Sequence, residues 1–162
     1  MLNIVLVEPE IPPNTGNIAR LCAATNSRLH LIEPLGFTLD EKQLKRAGMD
    51  YWNLVNWRTW PDWATFAAYL TVSGARQWLF TTKTDRPYTD ADFQDNDYLI
   101  FGRETKGLPE NLLTTSAPRC LTIPMANPAA RSLNLATSVA IVLYEAIRQL
   151  SCRAPSAAAS HQ

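Results

Sequence analysis

Leu2-Asn3-Ile4-Val5-Leu6-Val7, followed by Glu8-Pro9-Glu10-Ile11 and then Pro12-Pro13-Asn14-Thr15-Gly16-Asn17-Ile18-Ala19-Arg20, is the stretch that decides the fold. Its first six residues are apolar almost without interruption and contain Val and Ile, the pattern of a strand buried on both faces. Glu8-Pro9 ends the run. Pro12 to Gly16 is turn chemistry, with Asn14 or Thr15 able to cap a helix that runs through Ile18, Leu21 and Cys22 to about Thr25. Leu29 to Ile32 then reads as a second short strand, closed by Glu33-Pro34.

The same alternation continues outward. Residues 40–48 have the pattern of a polar helix ending at Gly48, and Asp62 to Leu70 of another with Pro61 near its first turn. Trp78 to Thr82 and Tyr98 to Phe101 read as strands, separated by a loop over 83–97 rich in Asp, Thr and Pro. A short helix after Pro109, a strand from Leu121 to Pro124 and a final helix from Leu135 to Leu150 complete the pattern. Such alternation predicts an α/β fold, Rossmann-like, with a mostly parallel sheet and helices on both faces. The ligand then sits beyond the carboxyl ends of the strands. On the last helix, Ala136, Ala140, Leu143, Ile147 and Leu150 form one apolar stripe, with Leu135, Val139 and Val142 on a neighbouring face. That suits either a central core helix or one whose second face meets a partner subunit.

At 162 residues and 46% hydrophobic content the chain can form one core, and a single domain over 1–150 is expected, with a disordered tail over 151–162. The longest uninterrupted apolar run, Val139 to Leu143, is far short of the about 20 residues a membrane span needs. The apolar N-terminus lacks a basic leader and a cleavage site. Three cysteines, Cys22, Cys120 and Cys152, with no CxxC pair argue against a disulfide framework or a zinc site and suit a reducing cytoplasm; no metal is expected. Fifteen basic residues balance fifteen acidic ones, so any nucleic-acid site is a local patch on a neutral molecule.

Three segments carry chemistry. Asn14, Asn17 and Arg20 recur at spacing three, which puts them on one broad polar side near a helix N-terminus, where anions are favoured and Arg grips phosphate bidentately. The same residues could be an N-cap and a solvated Arg. Phe101-Gly102-Arg103-Glu104-Thr105-Lys106-Gly107-Leu108-Pro109 has two glycines flanking four polar residues directly after a strand, as a ligand-cradling loop or a plain loop would. Leu108-Pro109 stands where a phosphate loop needs Lys-Ser/Thr, and no GxGxxG follows the first strand. Ile123-Pro124-Met125 leads through a loop to Arg131-Ser132-Leu133-Asn134-Leu135, where Ser132 or Asn134 can cap the last helix. His30 lies within a strand and reads as structural, so a Cys–His or Ser–His couple has little support. Among the basic residues, Lys42, Lys45, Arg46, Lys83, Arg86, Lys106 and Arg131 are candidates for phosphate contacts. Trp52, Trp57, Trp60, Trp63 and Trp78 read as core or edge packing in preference to base-stacking platforms.

In joint order and spacing, these three segments resemble the motifs of the SPOUT RNA methyltransferases over nearly the whole chain, to about residue 150. The opening Asn3 to Asn17 is similar to the minimal tRNA (cytidine/uridine) 2′-O-methyltransferases that act on the wobble nucleotide. The resemblance implies a trefoil knot near the C-terminus, although general topology rules weigh against knots. It implies S-adenosyl-L-methionine as cofactor, with Phe80, Gly102, Ile123 and Ser132 matching the family's cofactor contacts. It further implies tRNA as partner, leucine tRNAs among the candidates, and a homodimer packed through the first and last helices. Arg20 takes the catalytic role at the ribose; Asn14, Asn17, Glu104, Asn134 and Tyr144 support substrate or motifs. Arg103 stands where close relatives often have Pro, and the loop Ala126-Asn127-Pro128-Ala129-Ala130 is about one residue longer than expected.

On this reading Arg20 clamps an RNA phosphate beside the target ribose, and the phosphate or a transiently neutral Arg20 takes the 2′-OH proton, because an Arg is a poor base by itself. Other assignments remain open: methylation of another tRNA or rRNA ribose, a non-catalytic knotted RNA-binding module, or a nucleotide-binding α/β enzyme acting on small molecules.

Overall fold

A computed structural model describes residues 1–39 and 52–153. Its strands are β1 (Asn3–Val7), β2 (Arg28–Ile32), β3 (Asn56–Trp60), β4 (Gln77–Phe80), β5 (Tyr98–Phe101) and β6 (Cys120–Leu121). They form one six-stranded sheet in the order β3-β2-β1-β5-β4-β6, and each pairing is parallel. The α-helices among the described residues are α1 (Pro12–Thr25), α2 (Trp63–Ser73), α3 (Glu110–Thr115) and α4 (Leu135–Arg153).

The uninterrupted apolar run of β1 has a direct cause. Ile4 and Leu6 point into a layer shared with Ile18 and Cys22 of α1 and Val139, Val142 and Leu143 of α4. Val5 and Val7 point into a second layer with Phe66 and Leu70 of α2 and Leu112 and Leu113 of α3. Successive strand residues face opposite ways, so a strand covered on both faces has no polar phase. From β1 the order runs outward one way through β2 and β3, and the other way through β5, β4 and β6. The direction therefore reverses between β1 and β5, which sets the loops leaving those two strands side by side at their carboxyl ends.

Several local readings are corrected. Ile11 is the N-cap of α1, with no side-chain cap bond and proline in the first turn. Asn14 and Thr15 thus lie inside the first turn and neither caps it; proline there gives up an N–H that has no helical acceptor. Asp62 caps α2, its Oδ1 accepting from Thr65 N at 2.7 Å, so Pro61 precedes the cap. Strand β3 was not anticipated: its Asn-Trp-Arg-Thr-Trp is an edge strand with Asn56 and Arg58 exposed. Strand β4 ends at Phe80 and β6 at Leu121, shorter than expected, and a short 3-10 turn, Tyr88–Asp90, lies in the loop between β4 and β5. Helix α4 continues through Ser151, Cys152 and Arg153, so the tail does not begin at 151. The helix expected over 40–48, the cations Lys42, Lys45 and Arg46, and the tail from 154 onward lie outside the described residues.

Although no uninterrupted apolar run is long, α4 averages a mean hydropathy of 1.2 over 18 residues, enough by length and composition to cross a membrane. Of that window 22% is buried, and the buried residues, Leu135, Val139, Val142, Leu143 and Ala146, pack on the sheet and α1. Cys22 is buried, and burial pushes its thiol up to about 12. Trp52 and Trp60 are buried, and Trp57, Trp63 and Trp78 half-buried, in agreement with packing roles. His30 is buried as well. Trp60 Nε1 donates to its Nδ1 at 3.2 Å, so the ring proton sits on Nε2, 3.3 Å from Asn3 Oδ1. Burial, reinforced by Arg28 and Arg58, lowers its pKa to about 4.

Candidate functional site

Beyond the carboxyl ends of β1, β4 and β5 lies a cavity of about 460 Å³. Phe80, Gly102, Ile123 and Ser132 all line it, together with Asn14, Glu104 and Asn134. The three stretches singled out in the sequence therefore meet at one place. Arg20, Asn17 and Tyr144 are not on its walls. Asn17 and Arg20 are exposed further along α1, one and two steps of three residues beyond Asn14, and Tyr144 is 54% exposed on α4.

A polar relay joins the three stretches. Glu104, in the loop after β5, accepts from Glu10 N at 2.8 Å and Ile11 N at 3.1 Å, and from Asn14 Nδ2 at 3.3 Å. Asn14 Oδ1 in turn accepts from Asn134 Nδ2 at 3.0 Å. Asn134 Oδ1 accepts from Thr137 N at 3.2 Å, which makes it the N-cap of α4. The carboxylate that caps the approach to α1 thus arrives from 93 residues beyond Ile11 in sequence, in place of the local Asn14 or Thr15 cap. A carboxylate at a helix N-terminus also complements the helix dipole.

The clasp is reciprocal. Glu10 accepts from Thr105 N at 3.2 Å and from Thr105 Oγ1 at 2.8 Å, and Glu8 pairs with Arg103. Arg103 is thereby tied to the loop after β1. Backbone bonds between Arg103 and Gly107, of 2.9 and 3.3 Å, close the turn in which Glu104 sits. A Cβ on Gly102 would lie 2.1 Å from the Gly107 carbonyl carbon, so only glycine permits that closure. Gly36 supports the arrangement from the loop after β2: its N–H donates to Pro9 O at 2.9 Å, and a Cβ there would lie 2.7 Å from Glu10 Cα.

The cavity floor is aromatic, with the Phe80 and Phe101 rings stacked at 4.7 Å and 14°. Its walls combine apolar Leu108, Ile123 and Leu135 with polar Thr81, Thr82 and Ser132. Among the described residues, no group of three or more His, Cys, Asp or Glu side chains is placed to hold a metal ion. Sequence reading missed Glu8, Glu10 and Gly36. Their partners are distant in the chain, and the only local sign was two acids spaced by one residue after β1.

The model of the SpoU rRNA Methylase family matches residues 1–144. The tRNA (cytidine(34)-2'-O)-methyltransferase of Escherichia coli (strain K12) is 49% identical over 151 residues, spanning 93% of this chain and 94% of that protein. The protein of the same description from Photorhabdus asymbiotica is 51% identical over 154 residues, spanning 93% of this chain and 94% of its own. A structure solved in a study of the 2-OH methylation of C/U34 on tRNA matches with a TM-score of 0.87 at 48% identity, covering 94% of this chain and 98% of that one. The SpoU methyltransferase AviRb of Streptomyces viridochromogenes, in complex with the cofactor AdoMet, matches with a TM-score of 0.80 at 26% identity, covering 93% of this chain and 58% of its own. With a family match over most of its length, relatives near half identity and the fold in common, this chain belongs to the SpoU methylase family.

Proposed function

We propose that this protein is an S-adenosyl-L-methionine-dependent enzyme that methylates the 2′-hydroxyl of the wobble ribose, C or U at position 34, in the anticodon loop of tRNA, leucine tRNAs among its substrates. The relatives that share its length carry this activity in their names. The observation that carries the reading is the relay from Glu104 through Asn14 to Asn134, which brings three distant motif segments to one cavity of ligand size.

The cavity suits the cofactor. Stacked Phe80 and Phe101 offer a flat apolar surface, Gly102 lets backbone come close, and Ile123 and Ser132 add an apolar and a hydroxyl contact. Phe80, Gly102, Ile123 and Ser132 would hold it. When bound, S-adenosyl-L-methionine supplies a methyl group on a sulfonium, ready for in-line displacement. The chain then has to align the ribose and dispose of its proton. Alignment is worth about 7–11 kcal/mol, and a placed proton acceptor roughly 10²–10⁴-fold.

Arg20 grips an RNA phosphate beside the target ribose through its planar fork, and that phosphate takes the 2′-OH proton. Asn17 lies between Arg20 and the relay on α1 and orients the same nucleotide. Glu104 and Asn134 hold the motif loops at fixed separation. Because Arg20 lies outside the cavity wall, the target nucleotide must bridge from the cavity to the exposed side of α1. We further propose that residues 1–150 act as one catalytic domain, that the chain forms a trefoil knot near its C-terminus, and that the protein is a cytoplasmic homodimer joined through α1 and α4. Exposed Tyr144 on α4 is surface of the kind such an interface covers.

The test is transfer of labelled methyl from S-adenosyl-L-methionine to unmodified tRNA, with the modified ribose mapped. Arg20→Ala is expected to lose nearly all turnover while binding the cofactor close to normally. Full activity of Arg20→Ala would reject its role. Failure of the wild-type protein to modify any RNA would leave a knotted RNA-binding module as the better account.

A further inference from the structure

The charges around the cavity are not balanced as those of the whole chain are. Fifteen cations and fifteen acids make the molecule neutral, yet the cavity lining holds Lys83, Arg103, Lys106 and Arg131 against the single carboxylate of Glu104. Nor do these cations stand alike. Arg103 pairs with half-buried Glu8, and Lys83 with Glu110. Glu104 itself is occupied by two backbone N–H groups and Asn14, and Glu10 by Thr105. The acids at the mouth are therefore engaged, and two exposed cations are left: among the described residues neither Lys106 nor Arg131 forms an ion pair or hydrogen bond.

Both sit on held backbone. Lys106 is at the apex of the turn closed by the Arg103 and Gly107 backbone bonds and pinned through Thr105 to Glu10. Arg131 is the one charged residue between Arg119 and Glu145. It follows a turn closed by Asn127, whose Oδ1 accepts from Ala129 N at 3.0 Å, and precedes the Asn134 cap. A charge isolated in such a neutral segment, at the lip of a cavity and with no acid to answer it, is placed for an anion that comes from outside.

We infer that Lys106 and Arg131 grip two RNA phosphates that flank the target nucleotide, one from each lip of the cavity, while Arg103 serves the protein's own Glu8. This rests on the RNA-methylating reading above and specifies how the neutral molecule captures its polyanionic substrate. Each phosphate contact releases condensed counterions, so its loss lowers the salt dependence of binding by about 0.7–1 in the slope of log K against log salt.

The experiment measures binding of an anticodon stem-loop RNA between about 50 and 300 mM KCl. The proteins compared are the wild type, Lys106→Gln, Arg131→Gln, Lys106→Arg and Arg103→Gln, each also titrated with S-adenosyl-L-methionine. Lys106→Gln and Arg131→Gln are each expected to lose about 0.7–1 of slope and to bind RNA about fivefold to tenfold more weakly at the lowest salt. Cofactor affinity should be unchanged, Lys106→Arg should keep the wild-type slope, and so should Arg103→Gln. Unchanged slopes for both Gln variants overturn the inference. So does a loss of cofactor affinity without a change of slope, which would assign the cation to the cofactor's carboxylate. If the wild-type protein methylates tRNA, the slopes alone decide the inference; if it neither binds nor methylates RNA, the underlying functional reading falls and takes the inference with it.

Discussion

Two polar clusters lie in this protein, and they end differently. At the amino-terminal side of the sheet, His30 takes a hydrogen bond from Trp60 and faces Asn3, while buried Asp97 accepts from Arg76, Trp78 and the Gln94 backbone. Those partners are satisfied within the fold. At the carboxyl ends, the Glu104–Asn14–Asn134 relay is equally well bonded but borders a cavity and leaves two cations without acids. A closed cluster stabilises and specifies packing; one that stops at a cavity with charge left over is arranged for something that is not part of the chain.

The largest effect that separates the two comes from Gly102→Ala. The added Cβ would meet the Gly107 backbone at 2.1 Å, so the turn carrying Glu104 must open. A misplacement of about 1 Å in such a site costs roughly 10²-fold. Turnover is expected to fall at least that far, with cofactor affinity falling in parallel by calorimetry, while the circular-dichroism spectrum stays that of the folded α/β chain. Retained cofactor binding would mean that the turn is not the cofactor's wall.

The closed cluster should answer to acid instead. His30 is held neutral, with its pKa lowered from 6.5 to about 4, so the unfolded chain binds a proton that the folded one refuses. Its contribution is therefore complete above pH 6.5 and is lost as pH falls through the window down to about 4, amounting to about 3 kcal/mol at most. Urea unfolding at a series of pH values should show stability rising with pH across that window. His30→Gln should be less stable at neutral pH but flatten that slope; an equal slope in the variant would place the titration elsewhere.

The contrast also explains what could be read in advance. β1 was legible because both of its faces are buried, which leaves an apolar run with no competing pattern. The site stretches were legible as turn and cap chemistry next to strand ends, but their roles were not. Asn14 looks like an N-cap by local rules, whereas it carries a bond between segments 90 and 120 residues away. Periodicity describes what a residue does for its own element; Glu104, Glu10 and Gly36 act on other elements, and only the strand order that sets β1 between β2 and β5 makes them neighbours. β3 escaped notice for the opposite reason: an edge strand with Asn56 and Arg58 exposed has no apolar run to announce it.

The smallest expected effect is also the most discriminating, because it compares one device in the two settings. Asp62 caps α2 through Thr65 N at 2.7 Å, and Asn134 caps α4 through Thr137 N at 3.2 Å. Removing either cap, as Asp62→Ala or Asn134→Ala, should lower the Tm by roughly 2–4 °C. By that measure the two variants are close to equivalent. They differ in what else is cut. Asp62 caps a helix that covers the far face of the sheet, so its loss should leave kcat and KM as they were. Asn134 is also the donor to Asn14 Oδ1, so its loss frees Asn14 to rotate and slackens the hold on Glu104. Asn134→Ala should therefore lower kcat about fivefold at a Tm matched to that of Asp62→Ala, the size expected when one net hydrogen bond of about 1 kcal/mol is lost from a site held by several. Equal activities at equal Tm would show that Asn134 is only a cap, and that the relay ends at Asn14.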